Sequence, residues 1–174
     1  QVTGSGAASA FTISAFNPAG VTLSQTTTIA GFSGGAYLNF NGYNGKLYLS
    51  NFDLILTASA TVVNIPFSNA YFIVTNGTGK LFQTVAATDV TYIIGNTSYN
   101  PITLRNTGTS DAYGVRVIDA VTSPAPNDAT KLINRYWDIT ENVAGGSTLA
   151  VNDLTPTYNS GEENVNFAAG TTLK

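Results

Sequence analysis

The feature of this chain that most constrains its fold is a two-residue alternation of apolar and polar side chains, which recurs along most of its 174 residues. The alternating runs are short and rich in β-branched and aromatic residues, and clusters of Gly, Asn, Ser and Pro separate them, which is typical of successive β-strands. Asn41-Gly42, Asn44-Gly45 and Asn76-Gly77 favour the positive φ angles of tight turns. A short helix is indicated only at Asp128–Tyr136. We expect strands at Ala10–Phe16, Val21–Ile29, Ala36–Phe40, Lys46–Ser50, Asp53–Thr57, Thr61–Asn64, Ala70–Thr75, Lys80–Ala86, Asp89–Ile94, Ile102–Arg105, Tyr113–Asp119, Asn134–Thr140 and Thr148–Asp153.

The pattern predicts an all-β fold, chiefly an antiparallel β-sandwich of the jelly-roll kind. Residues 1–9 have the small, polar composition of a flexible N-terminal tail, and residues 10–174 are expected to form a single β domain. Within Ala36–Asn64, two short alternating runs flank a polar corner, which is typical of one rung of a β-solenoid or of a hairpin. Because no strict period of this length continues, a small solenoid-like N-terminal part is expected rather than a long array.

Composition excludes several functional classes. The chain has no histidine and no cysteine, so a Ser-His-Asp or Cys-His nucleophile and a zinc site are excluded. Its seven basic residues are scattered, which disfavours nucleic-acid binding, and no apolar run has the length needed to span a membrane. Loop oxygens at Asn51-Asp53, Asn127-Asp128 and Asn152-Asp153 lack the EF-hand spacing, so turn capping explains them better than calcium binding. We expect no enzymatic activity, metal or cofactor.

The remaining candidate chemistry lies in the carboxylates and arginines. The closest carboxylate pairs are Asp138 with Glu141 and Glu162 with Glu163, and a glycosidase would need such a pair in a cleft. Trp137 and Asp138 together could contact a glycan, although Trp137 as a core anchor beside a solvent-facing Asp138 is the simpler interpretation. The side chains of Arg105, Arg116 and Arg135 are expected to pair with Asp111, Asp119 or Asp138 across one sheet face.

The segment after the tail suggests an assembly strand. Phe11, Ile13 and Phe16 lie in an alternating run that follows the flexible residues. This run could fold into the sheet of its own chain, or it could be donated to the sheet of a neighbouring subunit.

Several motifs after residue 40 occur in a recognisable order. They are Asn44-Gly-Lys-Leu-Tyr-Leu49, Ala70-Tyr-Phe-Ile-Val-Thr-Asn-Gly-Thr-Gly-Lys-Leu81, Gly95-Asn-Thr-Ser-Tyr-Asn-Pro-Ile-Thr-Leu104, Asn106-Thr-Gly-Thr-Ser-Asp-Ala-Tyr-Gly-Val-Arg-Val117 and Asn134-Arg-Tyr-Trp-Asp-Ile-Thr-Glu141. Over about residues 40–167 the chain resembles a β-rich module of large secreted and cell-surface proteins of the Bacteroidetes. The resemblance implies a surface location and transfers no catalytic residues. Such modules usually lie within longer chains, so the end at Lys174 is expected to be either a proteolytic cut or the terminus of a shorter relative.

These observations favour a non-enzymatic extracellular structural protein, a bacterial cell-surface subunit that assembles with copies of itself into a filament or matrix by donor-strand exchange. A start at Gln1 without an initiator Met is consistent with removal of a signal peptide and hence with secretion. The alternative is an adhesin or carbohydrate-binding module cut from a larger secreted protein. A glycan-active enzyme would depend on the carboxylates alone.

Overall fold

The computed structural model describes residues 8–10, 12–30, 36–40, 45–58, 60–63, 67–120, 129–143, 149–150, 153–164 and 166. Strands dominate these ranges, which confirms the all-β class. They are β1 (Ala8–Ala10), β2 (Thr12–Ser14), β3 (Val21–Thr22), β4 (Thr27–Ile29), β5 (Ala36–Asn39), β6 (Leu47–Tyr48), β7 (Leu54–Leu56), β8 (Ala60–Val63), β9 (Ile73–Val74), β10 (Leu81–Val85), β11 (Val90–Tyr92), β12 (Ile94–Gly95), β13 (Ile102–Leu104), β14 (Asp111–Ile118), β15 (Tyr136–Glu141) and β16 (Leu154–Pro156).

Helix within the described ranges is limited to short 3-10 turns, among them Ala129–Lys131 and Ser160–Glu162. The helix expected at Asp128–Tyr136 is therefore wrong over its described part, and Tyr136 already begins β15. Ala129, Leu132, Ile133 and Tyr136 do have helical spacing, but Ile133 forms a bridge with Glu163 and Tyr136 pairs with Ile118. Tertiary pairing of extended backbone therefore overrides the local helical pattern.

The first twelve strands, with the exception of β11, are arranged as a parallel coil. On each of the first three circuits the chain visits three sheets in turn and adds one strand to each, and β10 then joins β1, β4 and β7 in the first sheet. The second sheet has the order β2-β5-β8, and the third contains β3, β6, β9 and β12. This is the path of a short parallel β-solenoid with three coils and a fourth that begins at β10 and returns to the third sheet at β12.

Register gives the length of one coil. Leu54 pairs with Thr27 on one side and with Leu81 on the other, each 27 residues away. Leu47 is likewise 26 residues from both Val21 and Ile73 in the third sheet. The first and last steps are shorter, since Ala8 pairs with Thr27 and Ile73 with Ile94.

Stacked apolar side chains fill the space between the three sheets. Fully buried columns run through the coils, for example Leu47, Ile73 and Ile94 in the third sheet. The same cluster continues into Ile102, Leu104, Val115 and Val117, so the described part of the chain shares one hydrophobic core. Burial of this continuous column supplies most of the stability of such a coil.

Antiparallel strands complete the molecule after the solenoid. β14 pairs with β10 and β15 with β14, so the first sheet grows to six strands in the order β1-β4-β7-β10-β14-β15. β11, β13 and β16 form a separate antiparallel sheet.

The topology differs from the expected architecture in the pairing of its strands and in the extent of its solenoid. The antiparallel sandwich is not observed among the described strands, because β1 to β9 pair with one another in parallel and antiparallel strand pairs begin only at β10. The solenoid part extends well beyond Ala36–Asn64 and covers most of residues 8–95. Of the residues expected in the N-terminal tail, Ala8 and Ser9 belong to β1 and pair with Thr27 and Thr28, and residues 1–7 lie outside the described part. The small residues of β1 can pair in parallel with β4 because main-chain groups, not side chains, form the hydrogen bonds between strands.

Candidate functional site

The outer surface of the first sheet carries the most distinctive set of side chains. Side chains alternate across a strand, and Leu54 and Leu81 are fully buried, so Ile55 and Phe82 point outward. Register pairing continues this outward row across five strands. The row consists of Thr28, Ile55, Phe82, Gly114 and Thr140.

The ring of Phe82 lies flat on Gly114 of the neighbouring strand. A Cβ atom added to Gly114 would lie 2.4 Å from Cζ of Phe82 and 2.6 and 2.7 Å from its two Cε atoms. Three nearly equal distances place that point above the face of the ring, because a point beyond the ring edge would be much closer to Cζ than to the Cε atoms. Gly114 is therefore needed for this close approach. The Phe82 side chain as a whole is half-buried.

A shallow hollow lies beside this ring. It is lined mainly by the apolar surface of Ile55, Phe82 and Ala112, with Asp53 and Asn142 as its polar members. Oδ1 of Asp53 accepts a hydrogen bond from the backbone N–H of Lys80 at 2.9 Å, which fixes the carboxylate on one side. The side chain of Asn142 is exposed.

A row of charged side chains runs parallel to the outward row that contains Phe82. Asp138 forms ion pairs with Arg116 and with Lys80. The distance from Nε of Arg116 to Oδ2 is 2.8 Å, and that from Nζ of Lys80 to Oδ1 is 2.9 Å. Burial by itself would raise the pKa of the Asp138 carboxyl, but the hydrogen bonds and positive charges of Lys80 and Arg116 outweigh it and hold that pKa below its ordinary value. Asp138 is therefore ionised at neutral pH and does not serve as a proton donor.

Trp137 and Asp138 do not contribute to one surface, because they are adjacent in β15 and face opposite sides of it. Trp137 is half-buried and packs against the hydrophobic core. Its Nε1 donates a hydrogen bond to the carbonyl of Asn100 at 3.1 Å. A glycan contact that uses both side chains stays a prediction without geometric support.

The carboxylate pairs are not arranged for general acid and base catalysis. Asp138 and Glu141 are three residues apart in one strand and so point to opposite faces. Glu162 is buried and already ion-paired, as described next.

Glu162 is the centre of a second polar cluster, near the end of the described chain. It is 7 % exposed, and Nη2 of Arg135 lies 2.9 Å from its Oε1. Further donors to this carboxylate are the Ser98 hydroxyl, Nδ2 of Asn100 at 2.6 Å, and the backbone N–H and Nδ2 of Asn159 at 2.8 and 2.9 Å. Burial opposes the charge, but the hydrogen bonds from Ser98 and Asn159 and the positive charge of Arg135 outweigh it and lower the pKa of Glu162. The cluster is saturated with protein donors, which identifies it as an anchor rather than a reactive site.

The predicted arginine pairs form in part. Arg116 pairs with Asp138, and Nε of Arg135 lies 3.6 Å from Asp119. Arg105 pairs instead with Asp153 at 3.8 Å and Asp89 at 4.0 Å. The three guanidinium groups do not share one sheet face, because Arg105 follows β13 in a different sheet from β14.

The N-terminal end of the solenoid is the second candidate surface. β1, β2 and β3 are the outermost strands of the three parallel sheets in the described part of the chain. Ile13 is 6 % exposed and belongs to the core of its own chain, whereas Phe16 is 38 % exposed. Phe11 lies outside the described residues. β2 pairs with β5 of the same chain, as the own-sheet alternative expected.

Comparison with protein-family models, with curated proteins and with solved structures found no match to this chain. The resemblance to the Bacteroidetes module therefore stays a prediction. The described part of the chain contains no cluster of three or more side chains suited to a metal ion. It also contains no helix with the length and apolar character needed to cross a bilayer.

Sequence reasoning missed the roles of Phe82, Gly114 and Glu162. The alternation correctly predicts a strand at Phe82. The contact of its ring with Gly114, however, depends on the pairing of β10 with β14, which alternation does not encode. The one available signal was Gly114 itself, since a glycine inside a strand often marks a close approach.

Proposed function

We propose that this protein is a non-enzymatic extracellular structural subunit that assembles with copies of itself into a cell-surface filament or matrix by exchange of its first coil. The observation that carries the proposal is the position of β1 and β2 as the outermost described strands of their sheets, with the inward side chain of Ile13 in the core. Within the described part of the chain this coil pairs with the body on one side, so the same coil of a neighbour can replace it with identical main-chain pairing.

Two further features support this function. The chain has few charged residues and a formal net charge of only −3, so long-range repulsion between copies is weak. An outermost strand of a sheet also presents backbone N–H and C=O groups that favour strand addition, and among the described strands β1, β2 and β3 hold this position. Extracellular localisation is part of the proposal and depends on the composition and on the resemblance described above.

A disulfide reporter tests the exchange directly, because the native chain has no cysteine. Ser14 and Asn39 are register partners in β2 and β5, so the double variant Ser14→Cys, Asn39→Cys places two thiols at a spacing suited to a disulfide. Exchange should give covalent multimers on non-reducing gels after oxidation of the assembled protein. An intramolecular bond alone, at every protein concentration, would contradict the proposal.

A truncation provides the second arm. Deleting residues 1–16 should abolish assembly and leave a soluble body, and a peptide of residues 8–16 should bind that body without restoring fibres. The matched control for the disulfide reporter is the half-buried register pair Thr28→Cys, Ile55→Cys in β4 and β7, which should cross-link only within one chain. Normal assembly of the truncated protein would show that the first coil is not the donor.

A further inference from the structure

We infer that the hollow beside Phe82 is a binding subsite for one pyranose ring of a neutral, β-linked, gluco-configured polysaccharide. This inference goes beyond the proposed assembly, since the hollow lies on the outer face of the first sheet and not at the solenoid end. It also differs from the expected Trp137 and Asp138 contact, because Trp137 packs against the core.

The first argument is a half-buried aromatic ring that lines the hollow. Phe82 lies with one ring face on Gly114, and its accessible part forms a wall of the hollow. An aromatic face carries partial negative charge, so it attracts C–H groups that neighbouring oxygens have polarised. A pyranose whose hydroxyl groups are all equatorial presents such C–H groups on its flat faces. Ile55 and Ala112 continue the apolar floor around the ring.

The second argument is the position of polar groups at the edge of the floor. Asp53 is held by the backbone N–H of Lys80, and it offers a fixed acceptor for a sugar hydroxyl. Asn142 lines the hollow with an exposed amide, which can both donate and accept. Ligand sites typically combine an apolar floor with a few such convergent polar groups.

The third argument is charge. The row beside Phe82 contains two cations, Lys80 and Arg116, and two carboxylates, Asp53 and Asp138. The two positive and two negative charges give the row no formal net charge. Both cations also lie within 2.9 Å of Asp138, so neither is left without a carboxylate. A ligand without charge is complementary to this face, whereas a phosphorylated or uronic-acid polymer finds no unpaired cation in the row.

Ligand-observed saturation-transfer NMR with cellotetraose tests the inference on the full chain. We expect transfer to the sugar ring protons, with a Kd on the order of 1 mM, as is reasonable for one aromatic ring and two polar contacts. Phe82→Ala should abolish the transfer. Gly114→Ala should also abolish it, because its Cβ would displace the Phe82 ring while the ring itself remains in the chain.

Tyr48→Ala is the matched control. Tyr48 also lies against a glycine, with Cε2 2.3 Å from the position of an added Cβ on Gly20, but it lies in the third sheet and does not line the hollow. This variant should bind cellotetraose like the parent chain. Circular dichroism of every variant separates loss of binding from loss of fold.

Two outcomes would overturn the inference. One is the absence of transfer to cellotetraose and to a chitotetraose probe at 10-fold the expected Kd, or transfer that Phe82→Ala and Gly114→Ala leave unchanged. The other is a dimer in sedimentation experiments that Phe82→Ala converts to monomer, which would assign the face to a second copy of the chain.

Discussion

Glu162 illustrates how this chain uses its few charges to hold distant segments together. The carboxylate joins the last 3-10 turn to the loop after β12 and to Arg135 before β15. Each of these segments lacks extensive strand pairing of its own, so the buried ion pair and its hydrogen bonds define their positions. Charged hydrogen bonds of this kind are worth more than neutral ones when the geometry satisfies both partners.

Replacing Glu162 by Gln should lower the free energy of unfolding by about 2 kcal/mol at pH 7, because Arg135 loses its buried partner. The pKa of Glu162 is lower in the folded than in the unfolded state, so its contribution is present above the ordinary Glu pKa and is lost as the pH falls through the folded value. Urea unfolding at pH 7 and at pH 3 should therefore show a smaller difference between variant and parent at pH 3. Glu163→Gln is the control. A difference that is equal at both pH values would contradict the assignment.

At the scale of elements, glycines at the corners set the spacing between coils. An added Cβ on Gly45 would lie 1.8 Å from the carbonyl oxygen of Ala15 in the preceding coil, and one on Gly79 would lie 2.1 Å from the oxygen of Phe52. These contacts involve backbone rather than flexible side-chain ends. The corners of adjacent coils therefore approach more closely than any larger residue allows.

Gly45→Ala should destabilise the protein by about 3 kcal/mol, since the backbone of two coils must separate to admit the methyl group. Gly161→Ala is its control, because nothing lies within 4 Å of an added Cβ there. Thermal unfolding followed by circular dichroism measures both. A Gly45→Ala midpoint equal to that of Gly161→Ala would show that the corner is not tightly packed.

The elements were predictable from sequence to the extent that burial alternates along a strand. Leu47 and Leu49, both fully buried, flank Tyr48 as the alternation requires, and most expected strands overlap observed ones. Alternation identifies the face of a residue but not the partner of its strand, so parallel and antiparallel pairing could not be distinguished. The period was hidden because the coil length changes, from 19 residues between Ala8 and Thr27 to 27 between Thr27 and Leu54. The contact of Phe82 with Gly114 was missed for the same reason, since it needs the pairing of β10 with β14.

At the scale of the whole molecule, a coil that contacts only its neighbours makes stability modular. Thr27 and Leu54 occupy equivalent positions in successive coils, as do Val21 and Leu47 in the third sheet. The coil that begins at residue 54 therefore stacks in register on the coil that begins at residue 27. In such solenoids stability is approximately a sum over coils and the interfaces between them.

Excising residues 27–53, one complete coil, should leave a folded and cooperative protein of lower stability. The first coil would then stack on β7, β8 and β9 with each sheet shortened by one strand. Because the surface exposed on unfolding falls with chain length, the urea m-value should decrease by about 15 %. The control is excision of residues 27–40, which removes β4 and β5 but keeps β6. The first and second sheets then lose one strand each while the third loses none, so the coils cannot stack in register and this variant should not fold. If the full-coil deletion is as disordered as the half-coil deletion, the coils do not act as interchangeable units and the fold depends on contacts specific to the second coil.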